Sequence, residues 1–286
     1  MNVQTRPQSS SLHIVPFTGS VGAEIFGIDL AAPQPKSVWD EVRAAFTQYG
    51  VIFFRDQNLT EDQQMAFAEQ FGTPAKEVFL RGMETHEKLV ELRKEPHERD
   101  NAGHCWHADQ SSRPHPVRAT VLVAREVPES GGDTCFVHMG DAYDELSEGL
   151  KKTLEGLRAL HSDKAVIAKA AASKDNYLSR AFNNGEVPES YHPVVIRVPE
   201  TGRKILFVNP HKTMSFEGWT EEESRPLLNH LFQHSQRPEF ACRFRWKAGS
   251  VAVWDNYQTW HYAVNDYHGK RRVMHRVTVM SEPFTA

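Results

Sequence analysis

The chain has 286 residues, 40% of them hydrophobic, enough to bury a sizeable core in one large domain or two. Its 33 Lys and Arg against 37 Asp and Glu leave a formal charge of -4, which argues against a general nucleic-acid or anionic-membrane surface and favours small-molecule work. The opening MNVQTRPQSSS lacks the apolar run of a secretory signal, and no later segment reaches the roughly 18 apolar residues of a membrane span. Cys105, Cys135 and Cys242 are odd in number and widely spaced, so neither a disulfide framework nor a paired-cysteine zinc site is expected, and a reducing cytoplasm fits.

In chain order, a polar tail over residues 1–11 precedes LHIVPFTGSVGAEIFGIDL, whose apolar residues between glycines read as short strands and turns. SVWDEVRAAFTQYG places Val38, Val42, Ala45 and Phe46 near helical spacing, with Ser37 as N-cap and Gly50 as stop. VIFFRD is a buried strand, and TEDQQMAFAEQFG a helix capped by Thr60 and ended by Gly72. Beyond residue 115 strands dominate: ATVLVAREV, DTCFVHM, HPVVIRV, KILFVN, FACRFRW, SVAVWDN and RRVMHRVTVMS. Helical sequence (MGDAYDELSEGLKKTLEGL) interrupts them. A polar stretch follows, and the expectation is a lid insertion around residues 160–190. TEEESRPLLNHLFQHS reads as a helix with Leu227, Leu228, Leu231 and Phe232 on one stripe and an acidic start. Many strands with a few covering helices, without a repeat or a convincing linker, favour a mainly β single domain over residues 12–286, a jelly-roll sandwich with helical insertions.

The stretch GHCWHADQSSRPHP concentrates the candidate chemistry. In an extended segment residues two apart face the same side, so His107 and Asp109 share one face while Ala108 points away. Such a pair supplies two of the three ligands of a two-His-one-carboxylate facial triad, but a lone His-x-Asp is common by chance. A third ligand is needed, and His261, in WDNYQTWHYAVNDYHGKRRVMHR, is the candidate; packing among aromatics is its plainer alternative. Arg272 and Arg276, four apart, share a face if extended, and inward-facing arginines call for anions. Bidentate carboxylate pairing suits their geometry. Thr134 opens the strand after the Gly-Gly turn of ESGGDTCF, where its hydroxyl either donates to a bound carboxylate or satisfies the turn. A rival pair, His230 and His234, is four apart on a helix, but no Glu follows the first histidine, so the zinc-hydrolase reading is distant. His104 and His115 read as loop histidines.

Taken together, WHADQS, GGDTCF, WDNYQTWHYAVNDY and RRVMHR resemble, in order, the iron(II)- and 2-oxoglutarate-dependent dioxygenases of the taurine and 2,4-dichlorophenoxyacetate dioxygenase family, and the likeness runs from about residue 12 to 284. The resemblance implies a double-stranded β-helix, with His107, Asp109 and His261 as the catalytic iron ligands. Thr134 and Arg272 match the residues that hold the distal carboxylate of 2-oxoglutarate. Arg276 matches an arginine near the cosubstrate that reaches the substrate anion. It also implies iron(II), 2-oxoglutarate and dioxygen, with succinate and carbon dioxide formed as the substrate is hydroxylated.

The sequence departs from the taurine enzyme of that family where substrate is read. Glu77 stands where that enzyme has a sulfonate-binding histidine, and Gly103 where it has an asparagine. Ile167 and Lys212 fall in regions that line its pocket. Taurine itself is therefore disfavoured. The expected substrate is a small anionic organic molecule, a carboxylate, sulfonate or alkyl sulfate, hydroxylated next to a heteroatom with C-O or C-S cleavage as an outcome. The alternatives are a taurine-like sulfonate dioxygenase proper and a non-redox jelly-roll protein that binds a small acid. The expected partners are that substrate and further copies of the chain, as a homodimer or homotetramer, with no nucleic acid or membrane.

Overall fold

The computed structural model describes residues 12–77, 80–101, 103–165, 167–168, 187–280 and 284. The tail over 1–11 and the body of the expected lid, residues 166 and 169–186, lie outside them. Along the chain come β1 (His13–Pro16), β2 (Ala23–Phe26), α1 (Lys36–Tyr49), β3 (Val51–Phe54), α2 (Glu61–Ala68), β4 (Thr73–Ala75), β5 (Leu89–Lys94), β6 (Ala119–Glu126), β7 (Thr134–His138), α3 (Met139–Asp144), α4 (Glu148–Leu154) and β8 (Arg158–Ser162). Then follow β9 (Glu189–Pro193), β10 (Val195–Arg197), β11 (Lys204–Leu206), β12 (Thr213–Phe216), α5 (Glu221–Ser235), β13 (Ala241–Phe244), β14 (Val251–Asp255), β15 (Thr259–Ala263) and β16 (Arg272–Met280).

The major sheet runs β1-β2-β3-β14-β6-β16-β4, with β5 also on β16. Its pairs are antiparallel except β2 with β3. β3 is buried at every residue because it is covered on both faces, which is why VIFF reads as a continuous apolar run. Ile52 and Phe54 join the core under α1 and α2, while Val51 and Phe53 join a second core on the opposite face. That second core is closed by the smaller sheet β13-β7-β15. Phe53 stacks on Phe244 of β13 at 4.0 Å between centroids, and Phe136 of β7 meets Trp254 of β14 at 5.6 Å. The β12-β8-β9 sheet packs with α3 and α5 around Phe216, Leu228 and Trp260.

The helices follow their sequence signals with one correction. α1 buries Val38, Val42, Ala45 and Phe46, the stripe expected of an amphipathic helix. Ser37 is not its cap: the helix begins at Lys36 behind Pro35, whose ring holds an extended entry conformation with no side-chain cap bond. Thr60 caps α2 in a capping box with Gln63, and Thr220 caps α5 in another with Glu223. Leu228, Leu231 and Phe232 of α5 are buried as expected; Leu227 is only partly so. No helix among the described residues is long and apolar enough to cross a membrane.

Candidate metal centre

His107 and His261 come together through backbone pairing. His107 lies just outside any strand, yet its N-H donates to the His261 carbonyl at 3.1 Å and its carbonyl accepts from the His261 N-H at 2.8 Å, an isolated antiparallel bridge onto β15. The two rings therefore lie side by side, 4.1 Å between centroids. Asp109 is reached differently from expectation. The segment is extended only at His107; Asp109 opens a turn in which Gln110 takes a left-handed φ of 49°. Its carboxylate still meets the rings, with Oδ1 at 3.7 Å from His107 Nε2 and 3.8 Å from His261 Nε2. The three ligand atoms lie within 4.8 Å of one another, all on buried residues.

The donor chemistry fits a metal ion. His107 Nδ1 bonds the Cys105 carbonyl at 2.8 Å, which leaves Nε2 as the ligating nitrogen. Burial, with His261 adding to it, holds His107 down to about 3, and burial holds His261 down to about 4, so both imidazoles are neutral and able to ligate near pH 7. Burial acts to raise the Asp109 carboxyl, but His261 and Arg276 outweigh it and hold it well below the usual carboxylate range. Two neutral nitrogens and one carboxylate on a shared face leave open coordination positions, the donor set of non-haem iron oxygenases.

A second layer holds the carboxylate. Thr120 of β6 donates to Asp109 Oδ2 at 2.8 Å, turning Oδ1 toward the imidazoles, and accepts from Asn256 Nδ2 at 2.9 Å. Asn256 Oδ1 in turn accepts from the Asp109 backbone N-H at 3.1 Å and from Trp254 Nε1 at 3.1 Å. Sequence reasoning missed both: Thr120 lies in an apolar strand outside the quoted motifs, and Asn256, though within WDNYQTWHYAVNDY, showed its role only through its contact with Asp109.

Arg272, Met274 and Arg276 alternate onto one face of β16. Arg272 is buried between the Trp246 and Tyr267 rings, its guanidinium carbon 5.9 and 6.0 Å from their centroids. Burial works against its charge, its Nε has no hydrogen-bond partner, and no carboxylate lies within ion-pairing distance among the described residues. Thr134 starts β7, opposite Ala263 of the strand that carries His261. Its hydroxyl oxygen accepts from Trp246 Nε1 at 2.9 Å, which leaves its proton free to donate. The Gly-Gly turn before it brings Gly132 against Arg272: a Cβ there would lie 3.2 Å from Arg272 Cδ, at a φ of +73°.

Arg276 faces the metal ligands and is engaged by carboxylates. NH1 lies 3.5 Å from Asp109 Oδ1, and NH2 2.8 Å from Oε1 of Glu77. Glu77 is itself buried; burial pushes its carboxyl up, and Arg276 opposes that. Lys212 is buried too, in an ion pair of 3.0 Å with Asp163, and its charge acts on His107, His261 and Glu77. His211, which sequence reasoning passed over, approaches His107 edge-on at 5.9 Å. Gly103 carries a φ of +81°, and a Cβ there would sit 3.0 Å from His107 Cε1, so a larger residue would press on the metal ligand. Ile167 is half-buried with its amide on the Asp163 carbonyl, and no contact among the described residues joins its side chain to the metal ligands. His234 bonds the Ala142 carbonyl and stacks with His230, His104 bonds the Asn101 carbonyl, and His115 is exposed. None of these four belongs to the metal-ligating cluster.

The comparison with known proteins agrees with this donor set. The model of the taurine catabolism dioxygenase TauD, TfdA family matches residues 13–278. Alkylsulfatase from Acinetobacter baylyi is 34% identical over 282 residues, spanning 97% of this chain and 87% of that protein. The alpha-ketoglutarate-dependent 2,4-dichlorophenoxyacetate dioxygenase of Cupriavidus pinatubonensis is 32% identical over 277 residues, spanning 91% and 94%. The crystal structure of AAD-2 in complex with Mn(II) and N-oxalylglycine superposes with a TM-score of 0.81 at 30% identity, covering 96% of this chain and 100% of that one. The chain belongs to the TauD/TfdA family and is an iron(II)- and 2-oxoglutarate-dependent dioxygenase.

Proposed function

We propose that the enzyme hydroxylates a small anionic organic molecule, a carboxylate, sulfonate or alkyl sulfate, at a carbon next to a heteroatom. Iron(II), 2-oxoglutarate and dioxygen supply the oxidising power, one oxygen atom entering succinate as carbon dioxide leaves and the other entering the substrate C-H bond. Where the hydroxylated carbon bears an ether or ester oxygen, the bond from that carbon to the oxygen breaks as the new hydroxyl gives up its proton, leaving a carbonyl and releasing the other fragment as an alcohol or acid, which is C-O cleavage without a hydrolytic nucleophile.

In this reading His107, Asp109 and His261 hold the iron, while the Thr134 hydroxyl and the Arg272 guanidinium hold the distal carboxylate of 2-oxoglutarate. The observation that carries it is the buried Arg272, whose Nε has no hydrogen-bond partner and which has no carboxylate at ion-pairing distance among the described residues: such a cation is costly until an anion meets it. Arg276 orients Asp109 and borders the substrate chamber, together with Glu77 and Lys212. The anionic substrate class rests on the relatives, one named an alkylsulfatase and another a 2,4-dichlorophenoxyacetate dioxygenase. Glu77 and Gly103 count against a taurine enzyme proper. We further read residues 12–286 as one domain on a double-stranded β-helix, cytoplasmic, and assembled as a homodimer or homotetramer that sedimentation would reveal.

Anaerobic addition of iron(II) and 2-oxoglutarate is expected to produce the weak visible band of a chelated oxoacid, and Asp109→Ala to abolish it. Failure of iron and oxoacid to bind together would falsify the assignment. A panel of carboxylates, sulfonates and alkyl sulfates, screened for substrate-coupled succinate formation, then identifies the substrate.

A further inference from the structure

Arg276 and Lys212, whose charges act on the metal ligand His261, are each closed on a carboxylate of the chain itself. Lys212 pairs with Asp163 at 3.0 Å, and Arg276 pairs with Glu77 at 2.8 Å. Glu77 is held from both sides. Arg276 NH2 meets Oε1, and the side-chain amide of Gln110 donates to Oε2 at 2.8 Å. Gln110 is fixed in turn, because its Oε1 accepts from Arg113 NH1 at 2.7 Å and its left-handed backbone, just after Asp109, aims the amide at the carboxylate. The Glu77 carboxylate therefore occupies a position on Arg276 that an oxygen of a substrate sulfate or carboxylate would need.

Charge balance gives the same result. The Asp109 carboxylate offsets one charge of a divalent metal ion, and Arg272 offsets one charge of a bound dicarboxylate, so the loaded centre is near neutral. The Arg276–Glu77 and Lys212–Asp163 pairs add no net charge. A substrate anion set against Arg276 would come up against the Glu77 carboxylate already paired there and would be repelled by it.

We propose that Glu77 is a specificity-determining residue, a built-in counter-ion to Arg276 that selects a substrate whose end at Arg276 is uncharged, any anionic group lying elsewhere on the molecule. This rests on the dioxygenase reading of the site and narrows its substrate class. It distinguishes this chain from an enzyme that grips a sulfate or sulfonate with the same arginine.

The test is calorimetric and independent of turnover. Under anaerobic conditions the iron(II)–2-oxoglutarate form of the wild type, Glu77→Gln and Glu77→Ala is titrated with hexyl sulfate and with hexyl methyl sulfone, ligands of matched chain with a charged and a neutral head. The wild type is expected to bind the sulfate no more tightly than the sulfone. Glu77→Gln is expected to gain about ten-fold or more for the sulfate with little change for the sulfone, because only the charged ligand experiences the removed carboxylate. Wild-type preference for the sulfate overturns the proposal, as does a variant series that gains nothing for the sulfate or changes both ligands alike. Should Glu77→Gln fail to fold, the wild-type preference and Glu77→Ala decide. A visible oxoacid band in a wild type that prefers sulfate sinks the Glu77 proposal alone; absence of the band sinks the dioxygenase reading as well.

Discussion

Asp109 shows how much of a metal ligand's behaviour is set outside the motif that contains it. Its Oδ1 is available to an ion because Oδ2 is tied to Thr120, and Thr120 is tied to Asn256. Thr120→Val keeps the side-chain volume but removes the donor, so iron(II) or Mn(II) affinity should fall by about 10- to 100-fold, the usual effect of losing such a supporting bond. Metal titration of the variant measures it, and unchanged affinity would remove the role. Arg272→Ala should raise the 2-oxoglutarate requirement far more than it alters metal affinity, which parallel titrations separate. At this scale the pairing of His107 with Asp109 was readable from the chain, but not the turn that presents Asp109, since the expected extended geometry ends at His107. Thr120 and Asn256 lie 11 and 147 residues from Asp109, and even with Asn256 in the same motif as His261, only the fold shows that the two residues meet at Asp109.

At the scale of elements, the site depends on four pieces of backbone meeting. The His107–His261 bridge joins a loop to β15, β7 carries Thr134 beside β15, and β16 brings Arg272 and Arg276 across. The Gly-Gly turn into β7 is part of this assembly. Gly132→Ala places a Cβ 3.2 Å from Arg272 Cδ at a φ that side chains rarely adopt, so Arg272 must shift. The expected result is weaker 2-oxoglutarate binding with metal affinity retained; equal binding of 2-oxoglutarate by variant and wild type would show that the turn does not position Arg272. The long apolar strands and capped helices were legible because their period and caps are local. Strands β4, β5, β8, β12 and β15 were not picked out, nor was β9 apart from its last two residues, His192 and Pro193. Segments such as ESYHP and TWHYA become strands by pairing with neighbours, since their own alternation is weak.

Across the whole molecule, buried histidines tie stability to pH. Burial holds His138 and His192 down to about 4 and His161 well below its ordinary 6.5. The unfolded chain takes up protons near pH 6.5 and the folded chain resists until near 4, so stability is lost as pH falls through this window, by up to about 1.4 kcal/mol per pH unit for each histidine. In metal-free protein His107 and His261 act in the same direction. Glu77 and Asp255, pushed up by burial, act in the opposite one, stabilising toward lower pH, but they are fewer. Denaturation of the metal-free protein should therefore need less urea at pH 5 than at pH 7.5; equal midpoints would contradict the depressed histidines.

The sequence by itself determined the class of this protein. WHADQS, GGDTCF, WDNYQTWHYAVNDY and RRVMHR occur in the order of the family they resemble, and His107, Asp109 and His261 are the residue types a two-His-one-carboxylate metal site requires. Only the tertiary structure decided what Arg276 is paired with. Glu77, Gln110 and Arg276 are separated by much of the chain, and a side chain's charge tells nothing of its partner until the fold brings the two to ion-pairing distance. From the sequence Arg276 was a cation awaiting a substrate anion; in the folded chain it is paired with Glu77.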